Sequence, residues 1–187
     1  MEIFIVRHTE YDNPKNIYPI RLPLYLSRLG RNNAKRIGLW FKKNKSQKLS
    51  IYSSPVVRTL QTAEIIASYI NSFVFIDSNL IEVRHGLQGK PIPKNNPWGK
   101  DVYNHPTMES QKNVLRRMVK AYKDKVTTGK NCILVTHGDH ITLLWHYLKG
   151  DKFPIKLWLD KHYVAKGEIL KIILRDKKVI NIERIII

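Results

Sequence analysis

Short apolar runs alternate along the chain with longer stretches in which apolar residues recur at helical spacing. Four runs have the length and the β-branched content of buried parallel strands. They cover residues 3–6, 49–52, 73–76 and 132–135. Strands that alternate with helices predict a doubly wound α/β fold, in which a mostly parallel sheet is flanked by helices in three α/β/α layers.

Four helices are predicted from this spacing. The first runs from about residue 27 to 43, with Ser27 as its N-cap. Ser54 is expected to cap the second helix, with Pro55 at its first position. The third opens at Thr107, and the fourth ends at Gly150. The inner stripe of the second helix is predicted to be Val56, Leu60, Ala63, Ala67 and Ile70.

Two further segments complete the expected architecture. Residues 168–175 and 179–187 flank Asp176-Lys177-Lys178 and predict a C-terminal β-hairpin. From about 78 to 106 the pattern is irregular and rich in Gly and Pro, which is typical of a functional segment, and we expect a short cap there. A length of 187 residues without a long linker predicts a single domain over 1–187.

Composition restricts the partners and the compartment. The 33 Lys and Arg against 15 Asp and Glu give a formal net charge of +18, which attracts anions such as phosphorylated small molecules. The basic residues are scattered, without clustered aromatics or a recognisable binding module, which argues against nucleic acid. The N-terminus lacks a signal-peptide pattern and no apolar stretch has membrane-spanning length, so we expect a cytoplasmic protein without a membrane partner.

Polar residues of matched chemistry lie where the predicted strands end. Arg7 and His8 follow the first strand, Arg58 lies beyond the second, and His137 follows the fourth. Because the carboxyl ends of parallel strands meet at one edge, we expect these side chains to converge there. Glu82 lies in the irregular segment that would overhang the same edge.

Together these residues indicate phosphoryl-transfer chemistry. Arg7 and Arg58 are the expected phosphate ligands, since a guanidinium bonds two oxygens at once. A neutral imidazole can attack phosphorus, which makes His8 the expected nucleophile, with His137 donating a hydrogen bond to the transferring group. Glu82 is the expected proton donor to the leaving oxygen, and for that role its pKa must be raised by partial burial or by a nearby phosphate.

For the other polar residues we favour structural roles over catalytic ones. Asp139 is either an alternative proton donor or an acid in the first turn of a helix, and we favour the second role. The remaining histidines are expected to be surface or packing residues, and His85 is the least clear of them because it lies three residues from Glu82. The histidines have no metal-ligand spacing and Cys132 is the only cysteine, so neither a metal nor another cofactor is expected.

Five segments resemble the signature motifs of the histidine phosphatase superfamily, also called phosphoglycerate mutase-like. Residues 6–10 (VRHTE) are similar to its RHG[ET] motif, with Thr9 in place of the usual Gly. Residues 52–64 (YSSPVVRTLQTAE) are close to SSPLxRAxQTAE, the most specific match. The other matches are LSRLGR at 26–31, LIE at 80–82 with the glycines that follow it, and VTHG at 135–138.

The resemblance implies a cofactor-independent enzyme acting on a small phosphorylated substrate. It implies His8 as the phosphorylated nucleophile, Glu82 as the proton donor, and Arg7, Arg58 and His137 as the phosphate pocket. The leading interpretation is a phosphomonoester hydrolase, and the alternative is a cofactor-dependent phosphoglycerate mutase. About twenty residues separate Gly89 from Glu109, a short cap that favours hydrolysis. The Asn that often follows the first motif is matched only by the candidates Asn13 and Asn16.

Overall fold

A computed structural model describes residues 1–45, 49–94 and 99–187 of the chain. Its centre is a six-stranded mixed sheet in the order β3-β2-β4-β1-β5-β6. The strands are β1 Glu2–Arg7, β2 Ser50–Ser53, β3 Val74–Ile76, β4 Cys132–Thr136, β5 Ile169–Arg175 and β6 Lys178–Ile185. The first four are parallel, whereas β5 and β6 are antiparallel and form the predicted C-terminal hairpin.

Helices cover both faces of the sheet, which confirms the three-layer α/β prediction. They are α1 Arg28–Asn44, α2 Val57–Ile70, α3 Lys100–Tyr103, α4 Gln111–Thr128 and α5 Gly138–Lys149, with 3₁₀ turns at Ser78–Leu80 and Leu157–Leu159. The predicted cap of α1 is confirmed, because the Ser27 hydroxyl accepts a hydrogen bond from the Gly30 N–H. Among the described residues, no helix is both long and apolar enough to cross a membrane.

Two helix starts differ from the prediction. The first residue of α2 is Val57 and its N-cap is Val56, which has no side-chain bond, because the hydroxyl of Ser54 is engaged elsewhere, with His137. The first residue of α4 is Gln111, capped by Ser110, and not Thr107. The hydroxyl of Thr107 instead accepts a hydrogen bond from the Gly86 N–H in the segment after β3.

The inner face of α2 also differs from the predicted stripe. Ala63 and Ala67 are buried as expected, but Leu60 and Ile70 are only partly buried. The buried face carries polar side chains instead, namely Arg58, Thr59 and Thr62. Arg58 and Thr62 bond His8 and Thr9, the residues that follow β1, so the start of α2 serves a polar site and not the apolar core.

The core consists of two apolar layers, one on each face of the sheet. Alternate residues of β1 point to opposite layers, since successive strand side chains face opposite ways. Ile3 and Ile5 pack with residues of α4 and α5, whereas Phe4 and Val6 pack with residues of α1 and α2. Because the helices hold the sheet from both sides, the strand ends that carry Arg7 and His137 are fixed in position.

Much of the expected cap segment, 78–106, packs against the loop that follows β1. Tyr18 and Ile20 form a small apolar cluster with Val102 of the cap, and Ile17 pairs with Pro91. Residues 95–98, which belong to the predicted cap, lie outside the described residues. The loop and the cap therefore share one wall above the ends of the parallel strands.

Candidate active site

The five predicted site residues converge at the carboxyl edge of the parallel strands. Arg7 ends β1, His8 follows it, and Arg58 lies in the first turn of α2. These three side chains and Glu82 line one cavity of about 370 Å³. His137 lies behind them, fully buried, with its Nδ1 2.9 Å from Oε2 of Glu82 and its ring centroid 5.4 Å from that of His8.

The hydrogen bonds of His8 define its tautomer. Nδ1 lies 2.8 Å from the carbonyl oxygen of Thr9, which can only accept, so Nδ1 carries the proton. Nε2 accepts a hydrogen bond from Nε of Arg58 over 3.1 Å. Burial, followed by the charges of Arg58 and His137, lowers the pKa of His8 well below its usual value. The imidazole is therefore neutral and keeps its Nε2 lone pair on the cavity side.

The tautomer of His137 is set by Glu82, because an ionised carboxylate can only accept and its Oε2 lies 2.9 Å from Nδ1. In the neutral ring Nε2 is then an acceptor, and the Ser54 hydroxyl, 2.9 Å away, donates to it while its oxygen accepts the N–H of Val56. Nδ1 of His137 is then the protonated nitrogen, and it faces Glu82. Burial lowers the pKa of His137 to about 4 despite the carboxylate beside it. The side chain thus presents a neutral N–H donor toward the cavity.

Each of the two guanidiniums has a buried nitrogen without a hydrogen-bond partner among the described residues. Arg58 is 1% exposed; its Nη2 donates to the Ile20 carbonyl over 2.7 Å and to Glu82 over 3.0 Å. Arg7 donates through Nη1 to the Val164 carbonyl over 2.6 Å. Within the described ranges, Nη1 of Arg58 and Nε of Arg7 are buried without a hydrogen-bond partner. Since unpaired buried donors are costly, the two side chains favour an anion between them.

Glu82 is ionised in this arrangement. Burial alone raises the pKa of its carboxyl, but the contacts with His137 and Arg58 outweigh burial and hold that pKa well below its usual range. Its second oxygen, Oε1, accepts the N–H of Val83. Burial therefore does not by itself give Glu82 the raised pKa that a proton donor needs, which leaves a nearby phosphate as the other cause expected from the sequence.

One group of potential metal ligands coincides with this site. Ligand atoms of His8, Glu82 and His137 all lie within 4.8 Å of one another. Arg7 and Arg58 line the same cavity, however, and their fixed charges repel a cation. The donor set as a whole therefore suits an anion better than a metal ion.

The outer wall of the cavity includes Tyr11 and Tyr103, which belong to the segments 11–21 and 87–103 that the sequence predicts for this wall. It also includes Trp158, Tyr163 and Lys166, which the sequence did not single out. Asp139 does lie in the first turn of α5, as favoured from the sequence, but it also lines the cavity and accepts hydrogen bonds from Tyr103 and Tyr163. Its position two residues after His137 was the one available signal. The two tyrosines reach it from distant parts of the chain, and no local pattern marks them.

The other sequence candidates lie outside the cavity. His85 is buried in the cap segment, where its Nε2 lies 2.9 Å from the Val102 carbonyl. Asn13 bonds the backbone of Ile17, and Asn16 bonds the carbonyl of Ile92. His140 is fully buried behind His137, with Nε2 3.2 Å from Arg117. These four residues shape the wall and the core and do not line the site.

Comparison with known proteins settles the family. The model of the histidine phosphatase superfamily (branch 1) matches residues 3–179. The chain belongs to the histidine phosphatase superfamily. This family comprises enzymes of phosphoryl transfer, in agreement with the converging histidines and arginines. No curated protein sequence matches the chain.

Solved structures of the family share the fold. YhfR of Bacillus stearothermophilus superposes with a TM-score of 0.81 at 23% identity, covering 95% of this chain and 93% of its own. A mycobacterial glucosyl-3-phosphoglycerate phosphatase in complex with inorganic phosphate gives 0.76 at 19% identity, covering 99% and 95%. The alpha-ribazole phosphatase of Shigella flexneri gives 0.75 at 19% identity, covering 96% and 93%. At these identities the similarity shows the fold alone.

Proposed function

We propose that the chain is a metal-independent phosphomonoester hydrolase that works through a phosphohistidine at His8. The observation that carries this proposal is the arrangement of His8 and the two arginines. A neutral Nε2 that accepts only from Nε of Arg58 lies in a cavity lined by both guanidiniums, and each guanidinium has a buried donor without a partner among the described residues. A phosphoryl group supplies the missing acceptors and an electrophilic phosphorus at once. Two of the structural relatives carry the name phosphatase, which supports the same chemistry.

In the first step, Nε2 of His8 attacks phosphorus as the bond to the leaving oxygen breaks. The guanidiniums of Arg7 and Arg58 and the Nδ1–H of His137 bind the phosphoryl oxygens, where charge is largest in the transition state. The hydrogen bond from Nδ1 of His8 to the Thr9 carbonyl stabilises the imidazole as it becomes cationic. The result is an N–P bond and an alkoxide that must take up a proton.

Glu82 is the proposed source of that proton. A bound phosphate dianion competes for Arg58 and His137, the two contacts that keep the carboxyl ionised, and its own charge raises the pKa of Glu82. In the second step the resulting carboxylate takes a proton from a water molecule, which attacks phosphorus. The N–P bond breaks, inorganic phosphate is released, and His8 regains its lone pair.

Hydrolysis of an aryl phosphate tests the proposal. With chelator present, the purified protein should release phosphate from p-nitrophenyl phosphate, and the His8→Ala variant should not. A His8→Ala variant that keeps the activity, or activity lost to the chelator, contradicts it. The mutase alternative is tested in parallel by isomerisation of phosphoglycerate, for which we expect transfer between the 2- and 3-positions to be slower than net hydrolysis.

A further inference from the structure

Asp139 presents an unused acceptor beside the phosphate site. Its Oδ1 accepts two hydrogen bonds, from the Tyr103 hydroxyl over 3.1 Å and from the Tyr163 hydroxyl over 2.7 Å. Oδ2 makes no hydrogen bond to any residue in 1–45, 49–94 or 99–187, and the side chain lines the cavity. The two phenols fix the carboxyl in place, so Oδ2 is an acceptor at a defined position.

The sequence around Asp139 makes this arrangement possible. A Cβ at Gly138 would lie 2.5 Å from the Tyr163 hydroxyl, far inside contact distance. A glycine there lets Tyr163 approach the first turn of α5 and bond Asp139. Tyr163 also lies against Arg7, whose guanidinium carbon is 5.1 Å from the ring centroid. Asp139 is thereby linked through Tyr163 to Arg7, one of the two proposed phosphate ligands.

Asp139 is mainly a carboxylate near neutral pH. Burial and the nearby charge of Glu82 raise its pKa to about 6, while the two tyrosine bonds and Arg7 act in the opposite direction. At neutral pH an ionised Asp139 attracts hydroxyl donors and repels a second carboxylate. The residue therefore discriminates between leaving groups by their charge.

The other charged groups of the outer wall do not cancel this effect. Lys166 lies over the Tyr11 ring, 4.5 Å from its centroid, and Tyr11 itself borders His8 and Arg58, so this cation belongs to the phosphate end. Asp160 is already engaged, because one oxygen contacts Nε2 of His146 and the other accepts the N–H of His162. Among the described residues that line the cavity, Asp139 is therefore the carboxylate with one oxygen that makes no hydrogen bond.

The neighbouring wall is aromatic. The rings of Tyr103 and Trp158 lie with centroids 5.7 Å apart at an interplanar angle of 31°, and both line the cavity together with Leu157. An aromatic surface next to a hydroxyl acceptor suits an alcohol that has both C–H faces and hydroxyl groups, as a sugar does. A small phosphorylated carboxylic acid replaces one of these hydroxyl groups by a carboxylate, which cannot donate a hydrogen bond to Asp139 and carries the same charge.

We propose that the site selects phosphomonoesters of uncharged, hydroxyl-bearing alcohols and rejects phosphorylated carboxylic acids, with Asp139 as the residue that discriminates. This inference rests on the proposed phosphatase function and names its substrate class. Asp139 accepts a hydrogen bond from a hydroxyl close to the ester carbon, while Tyr103 and Trp158 contact the carbon skeleton. Sugar phosphates and polyol phosphates belong to the favoured class, and phosphoglycerates to the rejected one.

A matched pair of ligands tests the inference. Glycerol 2-phosphate and 2-phosphoglycerate differ by one hydroxymethyl group in place of one carboxylate. Their dissociation constants are measured by calorimetry at about pH 7.5 with the His8→Ala variant, so that binding is read without turnover. We expect glycerol 2-phosphate to bind about tenfold more tightly, a moderate effect for one screened like-charge contact.

The Asp139→Asn change, added to the same background, should bring the two constants within about twofold, chiefly because 2-phosphoglycerate binds more tightly. The amide oxygen can still accept from both tyrosines, so the wall is preserved. Asp124→Asn, which removes an exposed carboxylate on α4, is the matched control and should leave the ratio unchanged. A purely structural Asp139 would change the melting temperature and leave the ratio as it was.

Three results would overturn the inference. They are equal dissociation constants of the two ligands with the His8→Ala variant, tighter binding of 2-phosphoglycerate, and a ratio of the two constants that Asp139→Asn does not change. Failure of the proposed function has a different signature, which is the absence of His8-dependent hydrolysis of p-nitrophenyl phosphate by the unmutated chain. Binding selectivity and catalysis are thus measured in separate experiments.

Discussion

Nε of Arg58 donates a hydrogen bond to Nε2 of His8 over 3.1 Å, so the guanidinium occupies the lone pair that we assign to attack on phosphorus. The same guanidinium holds Glu82 through Nη2. One buried cation therefore restrains both the nucleophile and the proton donor while the site is without substrate. A phosphate that draws the guanidinium to its own oxygens releases both groups together.

Replacement of Arg58 should affect catalysis far more than stability. We expect Arg58→Met to lower kcat/KM for an aryl phosphate by about 10²–10³-fold, as for loss of one transition-state donor. Methionine fills much of the same volume, and the carboxylate of Glu82 that loses its partner keeps its contact with Nδ1 of His137 and can take up a proton. Thermal melts and steady-state kinetics check this, with Ile5→Ala as the core-truncation reference. A melting temperature lowered as much as by Ile5→Ala would mean that Arg58 is chiefly structural.

Loss of the carboxyl at Glu82 should depend on the leaving group. With an alkyl phosphate, Glu82→Gln is expected to lose about 10²–10⁴-fold in rate, since the alkoxide then leaves without a proton. With p-nitrophenyl phosphate the leaving group is already a weak base, and phosphorylation of His8 should slow much less. Glu64→Gln, at an exposed position on α2, serves as the control. Equal losses with both substrates would argue against a proton-donor role.

Ser54 should act through His137. Its hydroxyl donates to Nε2 and holds the ring with Nδ1 toward Glu82, and Ser54→Ala removes this hydrogen bond. We expect kcat/KM to fall by about two- to tenfold, the value of one ordinary hydrogen bond. Ser53→Ala provides the comparison, because the Ser53 hydroxyl is equally buried but donates to the Ser54 carbonyl. If both variants lose the same activity, the effect is a general one on packing and not one on His137.

Buried neutral histidines should make the protein less stable in acid. The pKa of His137 is about 4 and that of His140 about 3, while His8 is also lowered, whereas each histidine binds a proton below about pH 6.5 once unfolded. Each should therefore reduce the free energy of unfolding by about 1.4 kcal/mol per pH unit below that point. Asp139, with its pKa raised to about 6, opposes one of these contributions.

Denaturant unfolding between about pH 7 and pH 5 measures this dependence, and His140→Gln tests it residue by residue. Glutamine keeps an acceptor for Arg117 but cannot take up a proton on unfolding. We expect the variant to lose less stability between the two pH values than the unmutated chain. A stability that is flat over this range, or that rises toward acid, would contradict the assignment of neutral buried histidines.

The parts of the site that lie on regular elements could be predicted from the sequence. Strand periodicity places Arg7 and His137 at the ends of parallel strands, and topology then brings these ends together. The hydroxyl of Ser54 could not be predicted, since a serine before a proline has the pattern of a helix cap, yet its partner is His137, 83 residues away. The bonds that Tyr103 and Tyr163 make to Asp139 depend on how the cap and the last loop pack, which no local pattern encodes.

The ionisation of Glu82 could not be predicted from the sequence, for a different reason. Burial of a carboxyl raises its pKa, while a cation at 3 Å lowers it, and the balance depends on distances that only the folded chain defines. Of the two causes of a raised pKa expected from the sequence, partial burial is outweighed by the contacts with His137 and Arg58. Under the proposed function, a bound phosphate supplies the other.

Trapping of the phosphoenzyme tests the central claim most directly. After brief mixing with p-nitrophenyl phosphate labelled in its phosphoryl group and rapid denaturation at alkaline pH, where phosphohistidine survives, peptide mass spectrometry should find the added phosphoryl group on His8. The label should build up further in Glu82→Gln, in which water is activated less well. Label on another residue, or full turnover without any label at His8, would contradict the account.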